Sequence, residues 1–135
     1  MLPEVTVNYG AVVTATVACM VLGYVWYHEA VFGTMWMHLL GKKKDELGKP
    51  GPAMVIMLIA AFVLSYVMAH FVRYTGATDV TTGLETGFWI WLGFVATTGV
   101  GKIAFSGAPW KLFWIDYGYH LVQFMLIGAI LASWK

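Results

Sequence analysis

Four long apolar stretches decide what this chain can fold into. They run from about Tyr9 to Tyr27, Ala53 to Phe71, Leu84 to Phe105 and Leu112 to Trp134. Each is close to the ~20 residues a helix needs to cross about 30 Å of hydrocarbon. The first carries no charge, and the second is interrupted only by Ser65, Tyr66 and His70. In lipid, each backbone amide must find its partner inside the segment. Runs this long and continuous therefore read as helices rather than barrel strands. Composition agrees. Hydrophobic residues make up 60% of the chain and charged residues only 11%, against roughly 25% charged in an ordinary soluble domain. A small soluble domain has too much surface for its volume to be covered by so few polar groups. A soluble globular domain, a disordered chain and a nucleic-acid binder are thereby excluded, the last because the net charge is only +1. The lone Cys19 excludes an intrachain disulfide and any paired-cysteine zinc or redox centre. The expectation is an all-α integral membrane four-helix bundle, one domain over residues 1–135.

The few charges orient the chain. Lys42, Lys43, Lys44 and Lys49 follow the first span, and Lys102 and Lys111 flank the junction of the third and fourth. The opposite side holds only Arg73 and the terminal Lys135. Lysine and arginine concentrate on the cytoplasmic side, which predicts an inner-membrane protein with both termini outside and the Lys42–Lys49 loop in the cytoplasm. Glu4 and Asn8 stand before the first span where a cleaved signal would be basic, so that span is expected to remain in the mature protein.

The first junction is too apolar for a free loop. Val31, Phe32, Met35, Trp36, Leu39 and Leu40 share one helical face, with Gly33, Thr34 and His38 mostly off it. This predicts a short helix over residues 29–40 lying in the cytoplasmic interface and ended by Gly41.

Helices in lipid associate by close packing, and small residues at four-residue spacing mark where backbones can approach. Ala15, Cys19 and Gly23 form such a stripe on the first span, and Gly93, Thr97 and Gly101 on the third, with Gly83 and Gly87 at its outer end. The stripes predict packing within the bundle or a seam between copies.

Ionisable residues at membrane depth are costly and merit a functional reading. A cytoplasmic-side group comprises His28, Glu29, Lys102, Asp116, His120 and Gln123. Asp116, His120 and Gln123 lie at i, i+4 and i+7, on one face. Lys102 matches Asp116 in depth, which predicts an ion pair. Either that pair locks the two helices together, or the stripe lines a hydrated path for protons or a polar solute. Asp and His at this spacing are possible metal ligands, but no third ligand stands out, and no metal or cofactor is expected. On the other side, Arg73 and Glu85 flank one short loop and are predicted to pair. Glycine-rich phosphate loops, Cys-x-x-Cys, His-Glu-x-x-His and a nucleophile beside its own base are all missing.

Three blocks carry a family resemblance. Leu22-Gly23-Tyr24-Val25-Trp26-Tyr27 with Phe32-Gly33 and Trp36-Met37 resembles the opening signature of the domain-of-unknown-function family 1761, small microbial membrane proteins. Trp91-Leu92-Gly93-Phe94-Val95-Ala96-Thr97-Thr98 resembles its third helix. Lys111-Leu112-Phe113, Tyr119 and Gly128-Ala129-Ile130-Leu131 resemble its last. The resemblance implies a four-helix membrane protein and carries no catalytic residues. His28-Glu29 stands where Ser-Pro is common in that family and Asp116 where Asn is common, which speaks against a carboxylate as a general requirement.

The expected role is non-enzymatic: a self-associating or accessory subunit of a membrane assembly, with lipids, a second copy or a larger complex as partners. The alternatives are a proton or polar-solute transporter using Asp116, His120 and Gln123, and an enzyme acting on a lipid or quinone near His28, Glu29 and Trp36.

Overall fold

The structure is a computed structural model and describes residues 1–134; Lys135, counted above with Arg73, lies outside the described residues. The first helix, α1, spans Tyr9–Trp26 and starts at Asn8, whose side-chain oxygen accepts from the Ala11 N–H at 3.1 Å. A π-helical turn, Glu29–Gly33, leads into α2, Thr34–Leu40. Gly41 ends α2 at φ 68, a left-handed conformation that costs a residue without Cβ little. After a 3₁₀ turn at Lys44–Glu46 comes α3, Pro50–Tyr74. Helix α4 covers Val80–Ser106 and widens into a π-helical turn at Trp91–Ala96. Helix α5, Trp110–Ser133, completes the chain. No strand occurs among the described residues.

Four of these helices, α1, α3, α4 and α5, are long and apolar enough to cross a membrane. Three begin earlier than the apolar runs suggest: α3 at Pro50, α4 at Val80 and α5 at Trp110. Pro50 is tolerated at the first position of α3 because an N–H there has no helical partner. At α4, the Asp79 carboxylate accepts from the Thr82 N–H at 2.8 Å, and the helix starts at Val80.

The chain ends and the 75–79 loop lie on one face, the terminal face. Helix α2 and the Lys42–Lys49 segment lie on the opposite, lysine-bearing face. Helix α5 is central: 44% of its most apolar window is buried, against 22% to 28% for the other three. In the terminal half, α1 presents Ala11, Val12, Ala15 and Cys19, and α3 presents Ala61, Ser65, Met68, Ala69 and Val72, all buried. Buried hydroxyls return to their own helices. Thr16 donates to Val12 O and Thr86 to Thr82 O, each at 2.8 Å, which keeps them satisfied without water. Ser65 Oγ is the buried side-chain oxygen without a partner among the described residues.

Helices α4 and α5 cross closest. A Cβ on Gly83 would strike the backbone of Gly128, and one on Gly87 the backbone of Phe124 and Met125. Only hydrogen side chains at these positions allow this approach. Beyond the crossing, the π turn changes which side of α4 faces inward. The buried positions run Trp91, Ala96, Gly99, Ile103. The step from Trp91 to Ala96 is the five-residue interval of a π turn, where an α-helix would take three or four. The lysine-bearing half is looser. Every residue from Pro50 to Ala60 of α3 is exposed.

Candidate functional site

The lysine-bearing half gathers most of the polar and aromatic chemistry. Helix α1 ends in Trp26 and Tyr27, and the π turn folds α2 back beneath them. This fold-back needs Gly33, because a Cβ there would strike the carbonyl of Tyr27 and the backbone of His28. His28 caps the turn, its Nδ1 accepting from the Ala30 N–H at 3.1 Å. The bend brings Phe32 to Trp26 (ring centroids 4.8 Å apart) and Trp36 to Tyr27 (5.3 Å), while Val31 and Met35 point outward.

Helix α5 meets this cluster with its first turns. Tyr119 packs edge-on against Tyr27 at 5.4 Å, and its hydroxyl donates to Cys19 O at 3.4 Å. The Tyr27 hydroxyl donates to Asp116 Oδ1 at 2.7 Å. The Trp26 indole N–H donates to Ile115 O at 3.0 Å, and the Trp91 indole N–H to Tyr117 O at 2.8 Å. Both carbonyls already belong to helical ladders, and carbonyl oxygens have a second lone pair to offer. One turn further, His120 Nδ1 lies 2.9 Å from Gln123 Oε1, and Gln123 is buried. The cluster is thus a clasp: three indole or phenol donors from α1 and α4 hold the first half of α5.

His28, Glu29, Lys102, Asp116, His120 and Gln123, expected to group together, separate into three places. Asp116, His120 and Gln123 share the inner face of α5. His28 and Glu29 sit exposed at the head of the π turn, where Glu29 Oε1 pairs with Lys44 Nζ at 3.0 Å. The hydrogen bond from Lys44, and then its charge, hold the Glu29 carboxyl below the usual carboxylate range. Lys102 is exposed on α4 and takes no ion pair among the described residues, so the structure does not bring it to Asp116. The partner of Asp116 is Tyr27, 89 positions away, which no local spacing could reveal. Arg73 and Glu85 are likewise exposed and unpaired with one another.

The small-residue positions also divide. Ala15 and Cys19 are buried, and Gly23 lies against the Tyr119 hydroxyl, where a Cβ would come within 3.2 Å. Gly93, Thr97 and Gly101 lie on the other side of α4 from Ala96, Gly99 and Ile103, and nothing stands within 4 Å of a Cβ built on Gly93 or Gly101. The glycines that make the crossing are Gly83, Gly87 and Gly128, with Gly99 against the Tyr117 ring.

Two open cavities lie away from Asp116. One, of about 350 Å³, is an apolar crevice between α1 and α3 bordered by Val13, Val17, Leu58 and Phe62. The other, of about 270 Å³, lies on the terminal face beside Glu85 and Trp89. No group of three or more His, Cys, Asp or Glu side chains is placed to hold a metal ion among the described residues.

Comparison with curated proteins and with solved structures gives no match. The family model described as "Protein of unknown function (DUF1761)" matches residues 10–132, nearly the whole chain. The chain belongs to that family.

Proposed function

We propose that this DUF1761 protein is a non-enzymatic integral membrane protein, a four-helix bundle that associates with a second copy of itself through the outward face of α4. The observation that carries this reading is the open stripe of Gly93, Thr97 and Gly101. Of the two small-residue stripes on α4, the Gly83–Gly87 pair is used up by the crossing with Gly128, whereas this one has no helix against it. In lipid, a face without side-chain bulk is where a neighbouring backbone can come close. The Thr97 hydroxyl donates to Gly93 O at 2.7 Å, so it adds no unsatisfied donor to such a contact. The exposed rings of Phe94 and Phe105 border the stripe and supply area for packing. The clasp at Asp116 supports a structural role for the polar residues: its carboxylate is tied to the Tyr27 hydroxyl, whose ring packs against Tyr119.

Orientation belongs to the same proposal. The lysine-bearing face, with α2 lying along it, is the cytoplasmic one, following the positive-inside rule.

The test is cysteine cross-linking in native membranes. Thr97→Cys should yield a cross-linked dimer, and Val13→Cys, exposed on α1, should not. Equal cross-linking at both positions would refute the specific seam. Labelling of Lys43→Cys only from outside the cell would refute the orientation, as would protection of Thr78→Cys from the same reagent.

A further inference from the structure

The cavity on the terminal face is lined by Thr75, Thr82, Glu85, Thr86, Trp89 and Ile90, and its volume is about 270 Å³. Thr82, Glu85, Thr86 and Trp89 recur at i, i+3, i+4 and i+7 of α4, so they form one face of that helix. Thr75 closes the cleft from the end of α3, its Oγ1 3.1 Å from Thr86 Oγ1.

The polar lining accepts hydrogen bonds and offers few. The Thr75 hydroxyl lies 3.0 Å from Phe71 O and 3.2 Å from Val72 O, to which it donates. The Thr86 hydroxyl donates to Thr82 O. Thr82 Oγ1 is occupied by the Thr78 and Asp79 amides. What remains toward the cleft is hydroxyl lone pairs and the carboxylate of Glu85, which takes neither an ion pair nor a hydrogen bond among the described residues. No Lys, Arg or His lines the cavity among the described residues. Trp89, one turn further into the helix than Glu85, is 65% exposed, and an indole face attracts cations.

Depth narrows the ligand further. A helix of 27 residues is about 40 Å long, roughly 5 Å more at each end than the hydrocarbon it crosses. Glu85 then sits near the hydrocarbon boundary and Trp89 about 6 Å deeper than Glu85. A carboxylate at that level lacks full hydration, and a cation brought to it from the headgroup layer relieves the deficit. The lining is rich in acceptors, with the Trp89 indole N–H its one free side-chain donor among the described residues, and its carboxylate favours a cation with N–H donors, while the Trp89–Ile90 floor favours an alkyl chain beneath it.

We propose that this cleft binds the primary ammonium group of an amphiphile, with Glu85 as the counter-ion, the Thr75 and Thr86 oxygens as acceptors and Trp89 against the adjoining methylenes. The source is either an ethanolamine lipid headgroup or a free alkylamine, and the experiment separates them. The protein is reconstituted in nanodiscs of equimolar phosphatidylethanolamine and phosphatidylcholine, and retained lipid is read by native mass spectrometry. The ethanolamine lipid should be enriched about fivefold over choline, the scale of one exposed charge pair plus one ring contact. Glu85→Gln should abolish the enrichment, Trp89→Leu should reduce it, and Glu85→Asp should keep part of it. Both positions are exposed, and an unchanged circular dichroism spectrum verifies the fold of each variant. In a second arm, octylamine is titrated into phosphatidylcholine discs. Saturable binding there without ethanolamine-lipid enrichment assigns the site to free amines. No preference in either arm overturns the proposal. So does a preference that survives Glu85→Gln, or Glu85-dependent binding of Ca²⁺ with no amine binding.

Discussion

In the terminal half of this protein, α4 and α5 meet backbone against backbone at Gly83, Gly87 and Gly128. In the lysine-bearing half, the helices are joined by side chains, Trp26, Tyr27, Tyr119 and Trp91, whose polar atoms reach carbonyls and one carboxylate. Both devices answer the same constraint. Lipid is as apolar as leucine, so apolar burial gives little reason for helices to associate. One half gains dispersion by removing side chains from the contact. The other gains hydrogen bonds that lipid cannot supply. The first requires an exact fit, and the second tolerates separation. The contrast explains why exposed apolar surface collects in the lysine-bearing half, on residues 50–60 of α3 and on α4 beyond its π turn.

The comparison breaks most readily at the crossing. Gly83→Leu or Gly87→Leu must push two backbones apart and should cost about 3 kcal/mol or prevent folding, measured as loss of the thermal transition in detergent. Gly93→Leu, the same change on the open side of the same helix, should alter monomer stability by less than about 0.5 kcal/mol. In the clasp, Tyr27→Phe leaves Asp116 without its donor and should cost about 2 kcal/mol, while Asp116→Asn, which keeps an acceptor, should cost under about 1 kcal/mol. Denaturant titration of the three proteins decides the order. Trp26→Phe removes one indole donor while keeping most of the ring and should cost about 1 kcal/mol by the same measurement. The smallest effect belongs to Glu29 and Lys44, which pair at the exposed surface. Because Lys44 lowers the Glu29 pKa, what the pair contributes is present above the ordinary carboxylate range and is lost as pH falls through the lowered value. Glu29→Gln should nonetheless leave the melting temperature unchanged at neutral pH, and high salt should do the same.

The spans were legible because length and apolarity alone determine them. Gly41 as the stop of α2 was legible because a single residue supplies the left-handed φ. Helix rotation was not. Gly83–Gly87 and Gly93–Thr97–Gly101 have the same four-residue spacing, and both read as places where backbones can approach. The π turn at Trp91–Ala96 is what separates them, turning one stripe toward α5 and the other away. Nothing in the local pattern of Trp91-Leu92-Gly93-Phe94-Val95-Ala96 announces an extra residue in the turn. Ion pairs failed to be legible for the same reason. Lys102 and Asp116 agree in depth, but the rotation of α4 leaves Lys102 exposed while Tyr27 takes the carboxylate. The aromatic residues at the end of α1 were not legible as donors to α5, since their partners lie 89 residues away.

The open stripe of α4, as the proposed seam between copies, is the feature most open to direct measurement. Energy transfer between donor- and acceptor-labelled protein in bilayers, followed as the protein-to-lipid ratio rises, measures that seam directly. Wild type should associate with a saturating curve, and Gly93→Leu combined with Gly101→Leu should weaken association at least about tenfold while the thermal transition of the monomer stays in place. An association curve unchanged by the two leucines would contradict the account.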